Sequence, residues 1–182
     1  MALLSFIGRL MHNRRADGGR SVWFAEGLDA PESIIIDSAA FENGGPLPRS
    51  TAGSGVGDNV SPALEWHGVP DQANHLVFVL EDVDVPMATP LIHTLSIVPP
   101  GVTALAAGDL DRRSTVVESV GGFGRRGYQG PRPIPGHGVH HYGFMLFAVD
   151  ADVDTTSQKT ALESIAGHVL ARGRIVGTYE QP

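Results

Sequence analysis

The chain has 182 residues, 42% of them hydrophobic and 18% charged, which excludes a disordered composition and sets the scale of one domain with at most a short appendage. Thirteen Lys and Arg against 20 Asp and Glu leave a net charge of −7, so the basic footprint expected of a nucleic-acid binder is missing. The absence of cysteine rules out a disulfide framework, an iron–sulfur cluster, a thiolate zinc site and a Cys nucleophile, and it fits a reducing compartment.

Leu3, Leu4, Ile7, Leu10 and Met11 recur at helical spacing, and Arg14 and Arg15 follow them. A secretory signal carries its charge before the apolar run, and a bilayer-spanning helix needs about 20 apolar residues, so neither reading fits. Residues 2–14 read instead as a short amphipathic helix. It packs on its own domain or on a second copy of the chain, or it lies on a membrane surface. The expectations are a cytoplasmic protein, no stable membrane insertion and a plausible homodimer. Gly18 and Gly19 mark a hinge, and 21–32 form a connector. Residues 1–32 are thus set apart from a main domain over 33–182.

With 23 Gly and 13 Pro, the main domain is turn-rich, which favours short strands over a helical bundle. The β-branched run Ile34, Ile35, Ile36 predicts a strand over 33–41, followed by the turn Asn43-Gly44-Gly45-Pro46. Further strands are expected over 63–66, 75–81, 91–98, 114–120, 142–149 and 172–179. Leu76 to Leu80 are consecutive apolar residues, the mark of a strand buried on both faces. Thr156 or Ser157 can cap a helix running to about Ala171, with Leu162, Ile165, Ala166, Val169 and Leu170 on one face. Many short strands and one late helix predict a mostly β fold, an antiparallel β-sandwich with a short helix near each end.

Three places concentrate chemistry. Glu81-Asp82-Val83-Asp84-Val85-Pro86 follows the buried strand. On extended backbone Asp82 and Asp84 point to one face, where two carboxylates repel unless a cation or a histidine neutralises one. His93 lies within the apolar run 91–98 and matters chemically only if it faces those carboxylates. The segment 121–142 is rich in glycine, Gly124 and Gly130 among them. It carries Pro131, Pro133 and Pro135, and ends in His137, His140, His141 and Tyr142. Glycines let backbone N–H groups approach a ligand, and a loop this long in a small domain usually has work to do.

Asp82-x-Asp84-x-Pro86, His93 in the next strand, and Gly130-Pro131 running to His140-His141-Tyr142 resemble the phosphatidylethanolamine-binding protein family, and within it the bacterial Raf-kinase-inhibitor-like branch. Phe41-x-Asn43-Gly44, the stretch from Asp58 to Trp66, and Gly167-His168-Val169 with Gly177-Thr178-Tyr179 extend the resemblance over roughly 33–179. It implies a Greek-key sandwich of antiparallel sheets and an anion pocket formed by Asp82, Asp84, Pro86, His93, Gly130, Pro131, His140 and Tyr142. Thr94, Val98 and Ile134 depart from the family's pattern and would reshape the pocket wall.

The resemblance implies a non-enzymatic binder of small phosphorylated ligands or phospholipid head groups, without a cofactor, able to modulate a protein partner such as a kinase. Physically, one carboxylate can hold a histidine in its donor form and raise its pKa, while the other accepts the ammonium of an ethanolamine head. Two alternatives remain at this point. One is a metal-binding protein or metal-dependent hydrolase using Asp82, Asp84, His93 and His140. The other is a protease or kinase inhibitor with a vestigial pocket.

Overall fold

Alternation of side chains along the apolar runs decides the architecture. In the computed structural model, which describes residues 2–122 and 125–181, Gly124 lies outside the described residues. The elements are α1 (Ala2–Met11), β1 (Ile35–Asp37), β2 (Leu64–His67), β3 (His75–Asp82), β4 (Leu91–Val98), β5 (Ala104–Leu105), β6 (Glu118–Gly121), β7 (His140–Val149), α2 (Gln158–Ser164) and β8 (Val169–Tyr179). They form a three-stranded sheet, β1-β2-β5, and a five-stranded sheet, β6-β4-β3-β7-β8, with every strand pair antiparallel.

The five-stranded sheet is buried on both faces. Leu76, Phe78 and Leu80 of β3, with Phe144 and Leu146 of β7, meet Ile36, Leu64, Trp66 and Leu105 of the smaller sheet in one core. Val77 and Val79 point the other way. With Leu95, Phe147 and Val149 they pack under Val22, Trp23 and Leu28 of the connector and Ala161 and Ile165 near α2. The unbroken apolar run of β3 therefore supplies two cores, one per face.

Four elements are shorter than the pattern suggests: α1 stops at Met11 rather than at residue 14, β6 begins at Glu118 rather than at 114, after a turn in which Ser114 accepts the Val116 N–H, and the first strand and late helix are also cut short. The first strand spans three residues because Ser38 turns the chain, accepting Ala40 N–H and donating to the Ala63 carbonyl. The late helix begins as expected, with Ser157 and Thr160 forming a capping box, but ends at Ser164 rather than near Ala171. Gly167 adopts a φ of 82° and donates its N–H to the Gly27 carbonyl. Val169 and Ala171 then pair with Val149 and Ala148. The helix-like spacing of Val169 and Leu170 belongs to a strand. The two-residue β5 is too brief to leave a periodic signal.

Between β3 and β4 the register shifts: Leu80 faces Thr94 while Glu81 faces Ile92. His93 is the extra residue of this bulge, a device that re-aims a side chain at a sheet end. The connector is not a loose tether, since Val22, Trp23 and Leu28 are core residues. α1 docks through its small face: a Cβ on Gly8 would lie 2.0 Å from the Pro135 carbonyl oxygen, an approach only glycine permits. No helix among the described residues is long and apolar enough to cross a membrane.

Candidate functional site

Asp82 ends β3 and is buried. One of its oxygens accepts the Asp84 N–H at 2.8 Å and the other accepts from His140 Nδ1 at 2.7 Å. The Nε2 of His140 lies 2.6 Å from Nδ1 of His137, whose Nε2 donates to the Arg14 carbonyl at 3.1 Å. Arg15 Nη1 also approaches this ring, 3.1 Å from Nε2 and 3.3 Å from Nδ1, so His137 faces a guanidinium donor as well as a carbonyl acceptor. Both nitrogens of His140 are thus engaged, one with His137 and one with the Asp82 carboxylate. Burial, together with the Arg15 guanidinium and His140, holds the His137 pKa below the usual imidazole range.

Asp84 does something different. Its Oδ2 accepts the N–H and the ring of His141 at 2.8 and 2.7 Å, and its Oδ1 pairs with Arg15 Nε at 3.1 Å. The two carboxylates avoid each other's charge by having separate partners, and the expected ammonium acceptor is already taken by Arg15.

The His93 Nδ1 donates to the Gln129 carbonyl at 3.1 Å, and its Nε2 is 3.9 Å from Asp82 Oδ2. Burial lowers its pKa and outweighs Asp82, the largest influence in the other direction. The raised histidine pKa expected from the carboxylate pairing therefore does not hold at His93, where desolvation of the charged ring wins. Thr94, a departure from the family pattern, has a structural use: its Oγ1 accepts the Gln129 N–H at 3.0 Å. Asn59, at a φ of 56°, accepts the Gly130 N–H at 2.9 Å and donates to the Tyr128 carbonyl at 2.9 Å. Gly130 is required sterically, since a Cβ there would lie 1.9 Å from the Thr51 carbonyl oxygen.

These groups surround a cavity of about 420 Å³. Asp82, His93 and His140 form its buried polar end; Gly53, Asn59 and Gly130 also line it, as do the exposed residues Arg125 and Arg132, the latter donating Nη1 to the Ser54 carbonyl at 3.4 Å. Val85, Pro86, Met87, Leu91, Pro133 and Ile134 give it an apolar wall. Of the eight residues expected in the pocket, Asp82, Pro86, His93, Gly130 and His140 line it, whereas Asp84, Pro131 and Tyr142 do not. Tyr142 faces the core from β7, its ring edge-on to His93 at 5.5 Å between centroids. Its hydroxyl is buried near Asp82, and burial, reinforced by the Asp82 charge, raises its pKa. The Pro131 carbonyl is turned to the Gly53 N–H.

Arg125, Arg132, Asn59 and Met87 were missed by the sequence reading. A pair of arginines within a glycine-rich loop was the available signal for the first two. Among the described residues no group of three His, Asp or Glu could hold a metal ion. Both nitrogens of His140 are engaged and Asp84 is turned to Arg15 and His141, so the four residues named for a metal do not converge as one ligand set here.

A model of the family described as phosphatidylethanolamine-binding protein matches residues 37–180. The UPF0098 protein PH1269 of Pyrococcus horikoshii is 34% identical over 152 residues, which cover 79% of this chain and 75% of that protein. Among solved structures, a phosphatidylethanolamine-binding protein homologue from Chlamydia trachomatis, CT736, has a TM-score of 0.71 at 30% identity, covering 83% of this chain and 99% of that one. The Escherichia coli protein YbcL, described as a member of the mammalian family, has a TM-score of 0.72 at 26% identity, covering 82% and 99%. With the antiparallel fold and the matched span together, the chain belongs to the phosphatidylethanolamine-binding protein family.

Proposed function

We propose that the cavity binds a small phosphorylated or other oxyanion-bearing ligand, such as a phosphoethanolamine-like head group, and that the protein acts by binding rather than by turnover. The observation that carries this reading is the charge inventory of the wall. Arg125 and Arg132 join His93 and His140 around a single carboxylate, Asp82, and guanidinium groups suit tetrahedral oxyanions. The apolar wall beside them favours a ligand whose anion carries a short apolar substituent. His140 is hydrogen-bonded on both nitrogens, which favours a fixed donor framework over a free general base. Because Arg15 already pairs with Asp84, the reading does not require an amine on the ligand: methyl phosphate and phosphoethanolamine should bind within a few-fold of each other.

The test is calorimetric titration of both compounds, with the histidine rings followed by NMR. Saturable binding with shifts at His93 and His140 is expected, weakened about tenfold or more in the Arg125→Ala, Arg132→Ala double variant, since each charge-assisted hydrogen bond contributes roughly 1.5–3 kcal/mol. Binding that is undetectable, or unchanged in a double variant of unaltered melting temperature, refutes the proposal.

A further inference from the structure

Amphipathic helices normally bury their apolar stripe, and α1 does the opposite. Leu3, Phe6 and Leu10 share one face by their spacing of three and four residues. Gly8, about half a turn away from Phe6 and from Leu10, is the residue that docks on the Pro135 carbonyl. Leu3, Phe6 and Leu10 are 71, 65 and 76% exposed. Residues 2–15 contain three arginines and no carboxylate, on a chain of net charge −7. Arg9 and Arg14 are exposed, while Arg15 is tied to Asp84.

We infer that α1 is a docking face for an anionic lipid surface, with Leu3, Phe6 and Leu10 entering the acyl boundary and Arg9 and Arg14 at the headgroups. Charge complementarity selects this occupant. A neutral apolar partner would gain nothing from arginines beside the stripe, and a symmetric pairing of two copies through α1 would set the arginines of one helix against those of the other. A helix with an apolar face and a basic flank binds a membrane interface through both terms together. Three inserted side chains with two or three basic residues give a weak, reversible association that depends on lipid charge and on salt. The helix packs on 135–137, next to Pro133 and Ile134 of the cavity wall, so docking would hold the cavity close to a lipid surface. The inference stands on α1 alone and does not depend on the cavity being occupied.

The experiment is co-sedimentation of the full chain with vesicles of phosphatidylcholine alone, or of equal parts phosphatidylcholine and phosphatidylglycerol. Binding to the mixed vesicles only, reduced by added salt, is expected. The Leu3→Ser, Phe6→Ser, Leu10→Ser triple variant should lose about tenfold or more in partitioning, since each removed side chain deletes buried apolar area. It should keep the wild-type melting temperature and the wild-type affinity for methyl phosphate. The inference is overturned if wild type ignores both vesicles or if the triple variant binds them equally. It is also overturned if sedimentation velocity shows a wild-type dimer that the triple variant dissociates while neither protein binds lipid. Loss of methyl phosphate binding by wild type would instead strike the proposed function and leave this inference intact.

Discussion

At the scale of the residue, His93 shows how a bulge and burial combine. The register shift places the ring against Asp82 and Gln129, and desolvation keeps it neutral to a lower pH than an exposed imidazole. An oxyanion entering the cavity would favour the charged ring and raise its pKa in the complex. Between the lowered value of the free protein and the higher value of the complex, binding then takes up a proton, so affinity falls as pH rises through that window. Sulfate is the probe of choice, because it does not titrate between about pH 5 and 8, where histidine does. Its affinity should decline across this range in wild type and lose most of that slope in His93→Gln; a wild-type affinity that is flat or rises with pH would contradict the assignment. Position in the sequence was enough to nominate Asp82, His93 and His140. It could not tell that Tyr142 belongs to the core, because Tyr142 shares a face of β7 with His140, whose ring it stacks on at 6.3 Å, and only depth along the strand, set by packing, separates core from pocket. Nor could it find Arg15, whose partner Asp84 is distant in sequence.

At the scale of the element, the end of β3 is held by an acid in an unusual setting. Glu81 is buried and accepts from the Ser21 hydroxyl and, at 3.0 Å, from the Val22 N–H. It thereby pins the connector to the sheet. Burial raises its pKa above the usual carboxylate range despite those donors. The folded state therefore holds this proton more tightly than the unfolded chain does. The associated stability is fully present below the unfolded pKa, near 4.5, and is lost as pH rises through the folded value. Glu81→Gln can still accept the Val22 N–H without a charge to desolvate. Urea unfolding should show it more stable than wild type at neutral pH, with the advantage gone in acid. Glu81→Ala leaves the Val22 N–H unsatisfied and should lose about 1–3 kcal/mol at neutral pH. An advantage of Glu81→Gln that is the same in acid and at neutral pH would exclude the charge as its source. Elements buried on both faces were the legible ones, since a run such as Leu76–Leu80 has one sensible use. Val169 and Leu170 fit helix and strand periods alike, and only Gly167 and pairing with β7 decide between them.

At the scale of the whole molecule, the family span 37–180 covers one face of its larger sheet only in part, through Ala161 and Ile165, and residues outside the span complete the cover. Val22, Trp23 and Leu28 cover that face, over Val77, Val79 and Phe147. Trp23 is 2% exposed, and its ring is stacked against Arg172 and Arg174, whose guanidinium carbons are 4.2 and 4.5 Å from its centroid. Arg172 also donates to the Trp23 carbonyl at 2.8 Å and pairs with Asp29 and Glu32. The connector is thus bound by packing, stacking and a buried cation, whereas α1 and the turn after it are held by a glycine contact, the partly exposed Arg15–Asp84 pair and hydrogen bonds of Arg14 and Arg15 to His137. These attachments should differ in energy by several-fold. Trp23→Ala removes a large core side chain and uncovers Arg172, and should lower unfolding stability by about 3–5 kcal/mol while keeping a single transition. Arg15→Ala breaks a pair of the partly exposed kind, and should change it by no more than about 1 kcal/mol. Urea unfolding followed by circular dichroism separates the two. If Trp23→Ala were no more harmful than Arg15→Ala, residues 21–28 would be an appendage resting on a sheet that is stable without them. A large loss places the physical start of the domain before the first strand, at the residues that close its second core.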